Sequence, residues 1–321
     1  MVSSASDSHT VEVADRRTVA SDIVELTLRS TDGAALPAWA PGAHIDLLLP
    51  SGTVRQYSLC GHTDRPDEFV VAVLEETGGR GGSIEVHAAL DKGVAVSIRG
   101  PRNHFELHPA THYLFLAGGI GVTPILAMAR QAARAGIPWT LVYGGRSRST
   151  MAYTEEFAAL PGGTVRLVPQ DEAGHPDFAA AMKELPEGGA VYACGPEPML
   201  AAAEVVSADL LPPGTLHLER FGAKDGADIT TTGEEFEVEL AQSGCTLTVG
   251  ADDRLIDVVR KVAPQVPFSC EEGYCGSCET RVVSGIPDHR DQVLGDEERE
   301  ANDTMMICVG RSLSKKLVLD L

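Results

Sequence analysis

The sequence predicts three consecutive domains: an antiparallel β-barrel over residues 1–108, a parallel-sheet α/β domain over 109–224 and an α+β unit over 233–321. Three observations carry this. The early residues form short β-type segments broken by turn residues, and the middle alternates buried strands with helical runs. The last part holds five of the seven cysteines, four of them in a spaced motif, in an acidic context. A chain of 321 residues also exceeds one ordinary compact domain.

In the first domain, Ile23–Leu28, His44–Leu49, Phe69–Leu74 and Val94–Ile98 are strand candidates, with Pro50-Ser51-Gly52 supplying turn chemistry. Many short strands with little helix point to a small barrel or sandwich. Arg55-Gln56-Tyr57-Ser58 ends a strand-like segment. Arg55 offers a planar fork for phosphate, Tyr57 an aromatic face and a hydroxyl, and Ser58 a short donor. A solvated arginine on a barrel edge is the plain alternative. Gly78-Gly79-Arg80-Gly81-Gly82-Ser83 reads as a surface loop, or as a phosphate-cradling nest beside a nucleotide.

In the second domain, the buried strand Tyr113–Ala117 runs into Gly118-Gly119-Ile120-Gly121-Val122-Thr123-Pro124 and a helix to Ala135. Trp139–Tyr143, Val165–Val168 and Ala190–Ala193 add strands, with a helix near Phe178–Glu184, as in a parallel sheet with crossover helices. The fingerprint G-x-G-x-x-G fails at its third glycine, where Pro124 stands. The turn still suits a dinucleotide: its glycines admit close backbone approach, Thr123 can cap the helix and Pro124 fits the first helical turn. Free N–H groups at the helix start then attract a pyrophosphate. An ordinary strand-to-helix connection uses the same residues. Cys194-Gly195-Pro196 places a second turn after a buried strand, at the carboxyl edge where open α/β sheets bind ligands. Cys194 is there either a packing residue or a neighbour of a nicotinamide ring.

In the third domain, Phe236–Leu240 and Cys245–Val249 read as a hairpin. Leu255–Val262 reads as a helix with Leu255, Val258, Val259 and Val262 on its apolar face. Cys270-Glu271-Glu272-Gly273-Tyr274-Cys275-Gly276-Ser277-Cys278, followed by Cys308, has the C-x4-C-x2-C…C spacing of a plant-type [2Fe–2S] cluster. Four thiolates must converge on two irons, three of them from one tight loop, and the small Gly273, Gly276 and Ser277 let backbone N–H groups approach the sulfurs. A structural zinc site usually shows two C-x2-C knuckles, and this region has one. Cys60 and Cys245 read as small buried hydrophobes.

Composition sets limits. With 26 Lys+Arg against 46 Asp+Glu, the net charge of −20 argues against a nucleic-acid binder or an anionic membrane surface as main partner. No apolar run is long enough to span a bilayer, and Met1–Thr10 shows no secretory signal, so a cytoplasmic location is expected. Residues 225–321 carry 20 acidic and 9 basic side chains, a net of −11.

Taken in order, Arg55-x-Tyr57-Ser58, Gly118–Pro124, Cys194-Gly195-Pro196 and the C-terminal cysteine loop resemble the phthalate dioxygenase reductase family, within the wider ferredoxin–NADP reductase superfamily. Vanillate demethylase reductases are similar. The resemblance spans roughly Val11–Leu321 and implies a flavin-binding barrel, a nicotinamide-nucleotide domain and a ferredoxin domain, with FMN favoured over FAD. It implies that Arg55, Tyr57 and Ser58 hold the flavin and that Gly82 and Ser83 help bind its phosphate. Gly118, Gly119, Gly121 and Thr123 would bind the nicotinamide nucleotide, with Cys194, Gly195 and Pro196 at its ring and Phe221 against the flavin. Ser58, Cys194 and Phe221 become the catalytic candidates, and Cys270, Cys275, Cys278 and Cys308 the iron ligands.

One departure concerns the nucleotide. No acidic residue stands some twenty positions beyond the glycine turn to favour NAD; Arg146 and Arg148 follow the next strand and could meet a 2′-phosphate. The resemblance favours NADH and leaves NADPH open. It implies electron transfer from NADH through FMN and the cluster to a Rieske-type terminal oxygenase in aromatic hydroxylation or O-demethylation. The alternatives are a donor to a cytochrome P450 or other acceptor and, in another class, a non-catalytic [2Fe–2S] redox sensor or binding subunit. The acidic third domain is then a docking face for a partner with basic residues, or a merely solubilising surface.

Overall fold

The computed structural model describes residues 8–78, 81–222, 232–268 and 270–321. Backbone contacts divide the chain into two units, Met1–Arg220 and Phe221–Leu321.

The first unit begins with β1 (Ser8–Ala20), β2 (Ile23–Ser30), β3 (Ala43–Leu48), β4 (Val54–Ser58), β5 (Glu68–Leu74) and β6 (Ala95–Asn103). They form an antiparallel sheet in the order β4-β3-β6-β1-β2-β5. Alternation along the strands sends Val11, Val13, Leu26, Leu28, Ile45 and Leu47 into one core. An isolated bridge between Leu59 and Val71 brings the two edge strands together, which closes the sheet and shields its edges. Helix α1 (Gly82–Ala89) was not visible in the sequence; it is short, and it sits behind a run of glycines. It contributes Val86 to the barrel core. Gly79 and Arg80 of the expected nest lie outside the described residues.

The parallel sheet comprises β7 (Tyr113–Gly118), β8 (Trp139–Gly145), β9 (Gly163–Pro169), β10 (Ala190–Cys194) and β11 (Leu216–Glu219), in the order β11-β10-β7-β8-β9. Its connections include α2 (Val122–Ala135), α3 (Thr154–Ala159), α4 (Gln170–Ala173), α5 (Phe178–Lys183) and α6 (Glu197–Leu210). Strands covered on both faces read as continuous apolar runs, and every residue of β7 and β10 is buried. The chain runs outward from β7 to β8 and β9, then returns to the other side of β7 for β10. The switch point therefore lies between β7 and β10. The barrel is tied to this sheet by polar contacts. The Tyr153 hydroxyl donates to Glu25 Oε2 at 2.8 Å, and Arg130 donates to the carbonyls of Cys60 and Gly61.

The second unit contains β12 (Phe236–Leu240), β13 (Cys245–Val249), α7 (Leu255–Arg260), β14 (Glu279–Ser284), β15 (Pro287–Asp288), α8 (Asp296–Ala301), β16 (Thr304–Met306), β17 (Arg311–Ser312) and β18 (Lys316–Leu319). Its mixed sheet has the order β13-β12-β18-β14-β16. The hairpin forms as expected, with Phe236 opposite Val249. Two expectations need correction. Helix α7 ends at Arg260, so Val262 is 43% exposed and Ile256 joins Leu255, Val258 and Val259 in the core. Cys245 is partly exposed because β13 is an edge strand, whereas Cys60 is buried. Among the described residues, no helix is long and apolar enough to cross a membrane.

Candidate functional site

The two predicted turns of the nucleotide domain meet at the switch point. A Cβ on Gly121 would overlap the Cys194 carbonyl, and one on Gly118 would press on Met199 and Pro196. These glycines let the β7 turn and the Cys194-Gly195-Pro196 turn touch. Gly119 differs: its φ of +53° is left-handed, and nothing lies within 4 Å of where a Cβ would stand. Gly118 and Gly121 thus serve packing, and Gly119 leaves an open backbone face. Gly121→Ala should destabilise the fold by about 1–3 kcal/mol through overpacking, read as a lowered urea midpoint with unchanged m-value.

Thr123 is not the helix cap. Helix α2 begins at Val122 with Gly121 as its cap residue and no side-chain capping bond. The buried Thr123 hydroxyl instead donates to the Ile120 carbonyl at 3.0 Å, holding the short 3-10 turn Gly119–Gly121. Pro124 occupies the first helical turn as expected.

Ser58, at the end of β4, reaches the same region from the barrel. Its hydroxyl points to Glu219 Oε2 at 3.4 Å, and the Cys194 thiol faces that oxygen at 3.9 Å. Register explains the second approach, since Cys194 and Glu219 are neighbours across the parallel β10–β11 pair. Glu219 keeps some exposed surface as a residue, but its carboxyl is enclosed. Desolvation, opposed by the hydrogen bonds from Ser58 and Cys194, pushes its pKa up to about 8. Burial, then the neighbouring Glu219, raises the Cys194 thiol well above its ordinary range. The sequence reading missed Glu219, although it stands two residues before Phe221 at the end of a strand. Phe221 itself is 41% exposed.

Arg55, Tyr57 and Ser58 do not share a face. In the β3–β4 register Arg55 opposes Leu47 and Tyr57 opposes Ile45, whereas Ser58 opposes His44. Tyr57 packs against the barrel core and burial raises its hydroxyl. The Arg55 side chain lies over the start of α1, where a Cβ on Gly82 would collide with it. A guanidinium above a helix N-terminus is a fitting anion cradle. The Ser83 hydroxyl is engaged with the Glu76 backbone, accepting from its N–H at 2.9 Å.

At the end of β8, Arg146 is exposed and Arg148 pairs with Glu172 through three contacts of 2.9–3.0 Å.

In the second unit, Cys270, Cys275, Cys278 and Cys308 are 2, 6, 2 and 1% exposed. The thiols meet pairwise, Cys270 with Cys275, Cys278 with Cys308, and Cys270 with Cys308. Mutual contact and burial raise the Cys275 thiol. Among the described residues, no group of three or more His, Cys, Asp or Glu is set to hold a metal ion. Two linked thiol pairs fit a two-iron cluster better than a mononuclear site, which gathers its donors about one point. The loop also supplies N–H groups: Cys270 N–H lies 3.5 Å from the Cys275 sulfur and Glu272 N–H 3.3 Å from the Cys270 sulfur. Gly273, at φ +73°, packs on Val309 and Asp291.

Comparisons with known proteins agree with these features. An oxidoreductase NAD-binding domain matches residues 115–205, and a 2Fe-2S iron-sulfur cluster binding domain matches residues 238–312. The chain is 43% identical over 305 residues to phenoxybenzoate dioxygenase subunit beta of Ectopseudomonas oleovorans, covering 94% of each. A solved phthalate dioxygenase reductase is 35% identical, covers 97% of each chain and superposes with a TM-score of 0.69. An intact type IV self-sufficient cytochrome P450 monooxygenase is 41% identical over 98% of this chain, with a TM-score of 0.89; the match spans 41% of that longer chain. Fold and matched domains together define an electron-transfer oxidoreductase that joins an NAD-binding domain to a 2Fe-2S domain. The chain belongs to the phthalate dioxygenase reductase family.

Proposed function

We propose that the chain takes electrons from NADH, passes them through FMN to a [2Fe–2S] cluster held by Cys270, Cys275, Cys278 and Cys308, and delivers them to a Rieske-type terminal oxygenase. The observation that carries this is the meeting of Ser58 from the barrel with Cys194 and Glu219 from the switch point of the nucleotide sheet, in a chain that ends in a 2Fe-2S domain. A bound flavin would supply the conversion of a two-electron hydride into single electrons for the cluster.

The chain's own residues do the positioning. Arg55 and the N–H groups at the start of α1 hold an anionic phosphate, with Gly82 leaving room for the arginine and Ser83 ordering the approach to the helix. Tyr57, which packs in part on the barrel core, offers the remainder of its ring to the flavin. Gly118 and Gly121 keep the two turns in contact while Gly119, Gly195 and Pro196 line the nucleotide's path. Ser58 and Cys194 flank the Glu219 carboxyl and donate toward its Oε2 within the enclosed site. Phe221 contributes an accessible ring. Pairing of Arg148 with Glu172 offsets the charge a 2′-phosphate would seek, which supports NADH; the exposed Arg146 is the remaining cation for NADPH.

An anaerobic NADH titration followed by absorbance and electron paramagnetic resonance, with the released flavin identified, tests this reading. Roughly one flavin and two irons per chain are expected, with bleaching of both. Absence of flavin after gentle purification and reconstitution would sink it, and negligible turnover with one-electron acceptors would point to a redox sensor. Arg55→Ala should weaken flavin binding about 10- to 100-fold, the loss of one charge-assisted contact, measured by fluorescence of ultrafiltered flavin.

A cytochrome P450 acceptor is the second reading, favoured by the likeness to the self-sufficient P450 chain. Purified oxygenases of the two kinds, offered to the NADH-reduced protein, separate them. With either acceptor, the acidic C-terminal domain is the proposed docking face, so transfer should slow as salt is raised.

A further inference from the structure

Two residues beside the cysteine loop break local rules and satisfy each other. Arg254 occupies the cap position of α7, where Ser, Thr, Asp or Asn would accept a backbone N–H, and it makes no side-chain cap bond. A cation there also opposes the positive end of the helix. Glu271, directly after Cys270, has a φ of +60°, a left-handed conformation unusual for a side chain of its size. The Arg254 guanidinium donates from Nη2 to Glu271 Oε2 at 2.6 Å, with its Nε 3.5 Å from Asp257. Both members of the pair are partly buried, at 29% and 35% side-chain exposure. Arg254 also lies within electrostatic range of Cys308. Glu271 thus follows Cys270 directly in the chain, and its partner Arg254 feels the charge of Cys308.

We propose that Arg254 and Glu271 set the reduction potential of the cluster, Arg254 raising it and Glu271 lowering it. This rests on the reading that the four cysteines hold a [2Fe–2S] centre. Each transfer brings one electron from the flavin and later releases one to the partner, with no bond made or broken. The centre becomes one unit more negative on reduction. A nearby cation favours that state and a nearby carboxylate opposes it, and partial burial limits the screening of both. The ion pair keeps the two effects in balance and holds Glu271 in its left-handed turn. Neutralising one partner therefore exposes the influence of the other.

The test is redox titration of the whole protein, monitored by the electron paramagnetic resonance signal of the reduced cluster, for wild type, Arg254→Gln, Glu271→Gln and the double variant. Arg254→Gln should shift the reduced-to-oxidised ratio at fixed ambient potential about tenfold toward oxidised, or about 59 mV for a one-electron couple. Glu271→Gln should shift it the opposite way, and the double variant should return toward wild type. Arg254→Lys, which keeps the charge and loses the fork, should stay near wild type; it and Glu271→Gln decide the matter if Arg254→Gln fails to assemble a cluster. Unchanged midpoints, or single-variant shifts of the same sign, with cluster signals intact, would overturn the proposal. A wild-type protein without any cluster signal would instead overturn the functional reading beneath it.

Discussion

Replacing Cys275 by serine should abolish the [2Fe–2S] absorbance and electron paramagnetic resonance signal while leaving flavin reduction by NADH intact. Cys275 is buried and in contact with Cys270, so its loss removes one donor from the pair that would hold one iron. A serine hydroxyl is a harder and far less acidic donor than a thiol, and the loop offers no spare cysteine. Changes to groups that merely orient metal ligands cost about 10- to 100-fold in metal affinity, so loss of a ligand should exceed that. Turnover with a one-electron acceptor should fall with iron content. Apart from Phe221, the proposed flavin and nucleotide residues belong to a separate compact unit, so the rate of flavin bleaching by NADH should stay close to wild type. Loss of both signals would contradict independent units.

The second large effect is expected from Glu219→Gln, in the pH dependence. Under the proposed function a nicotinamide bound beside Cys194 would lie near the enclosed Glu219 carboxyl, and an ionised carboxylate there would favour the cationic ring that hydride loss leaves. With its pKa near 8, Glu219 is mostly neutral at pH 7 and ionised at pH 9. Hydride transfer in the wild type should therefore rise about tenfold through this range, equivalent to about 1.4 kcal/mol. Glu219→Gln should remain flat at the low-pH rate. Stopped-flow reduction of the flavin under anaerobic conditions measures this, and a variant retaining the wild-type limb would exclude Glu219 as its origin. Stability should show the opposite trend. An unfolded glutamate titrates near about 4.3, and folding raises that value, so folding favours the protonated form. The stability due to this group is complete below about pH 4.3 and is lost as pH rises through about 8. Urea midpoints of Glu219→Gln should lack that decline.

Much of this architecture is legible along the chain because it is written in short-range patterns. Alternation marks β2 and β3, continuous apolar runs mark β5, β7 and β10, and the spacing from Cys270 to Cys278 reflects the reach of one loop around a cluster. The less legible elements have weak local signals. Helix α1 follows a glycine run that reads as loop, and α7 stops at Arg260 although the apolar period continues to Val262. Thr123 has the composition of a cap but lies inside the helix, because the 3-10 turn before it shifts the boundary.

The cysteine spacing, the glycine turns and the order of domains are determined by the sequence alone, since each depends on residues within covalent reach of one another. Glu219 is different. It lies 161 residues from Ser58 in the chain, and their meeting depends on the closure of the barrel, the register of β10 with β11 and the packing of the two sheets. The same holds for Arg254 and Glu271, whose two local irregularities make sense only once the helix start and the cysteine loop are side by side. Buried electrostatics depends on distance through space, and only the tertiary structure decides which charges share an enclosed environment.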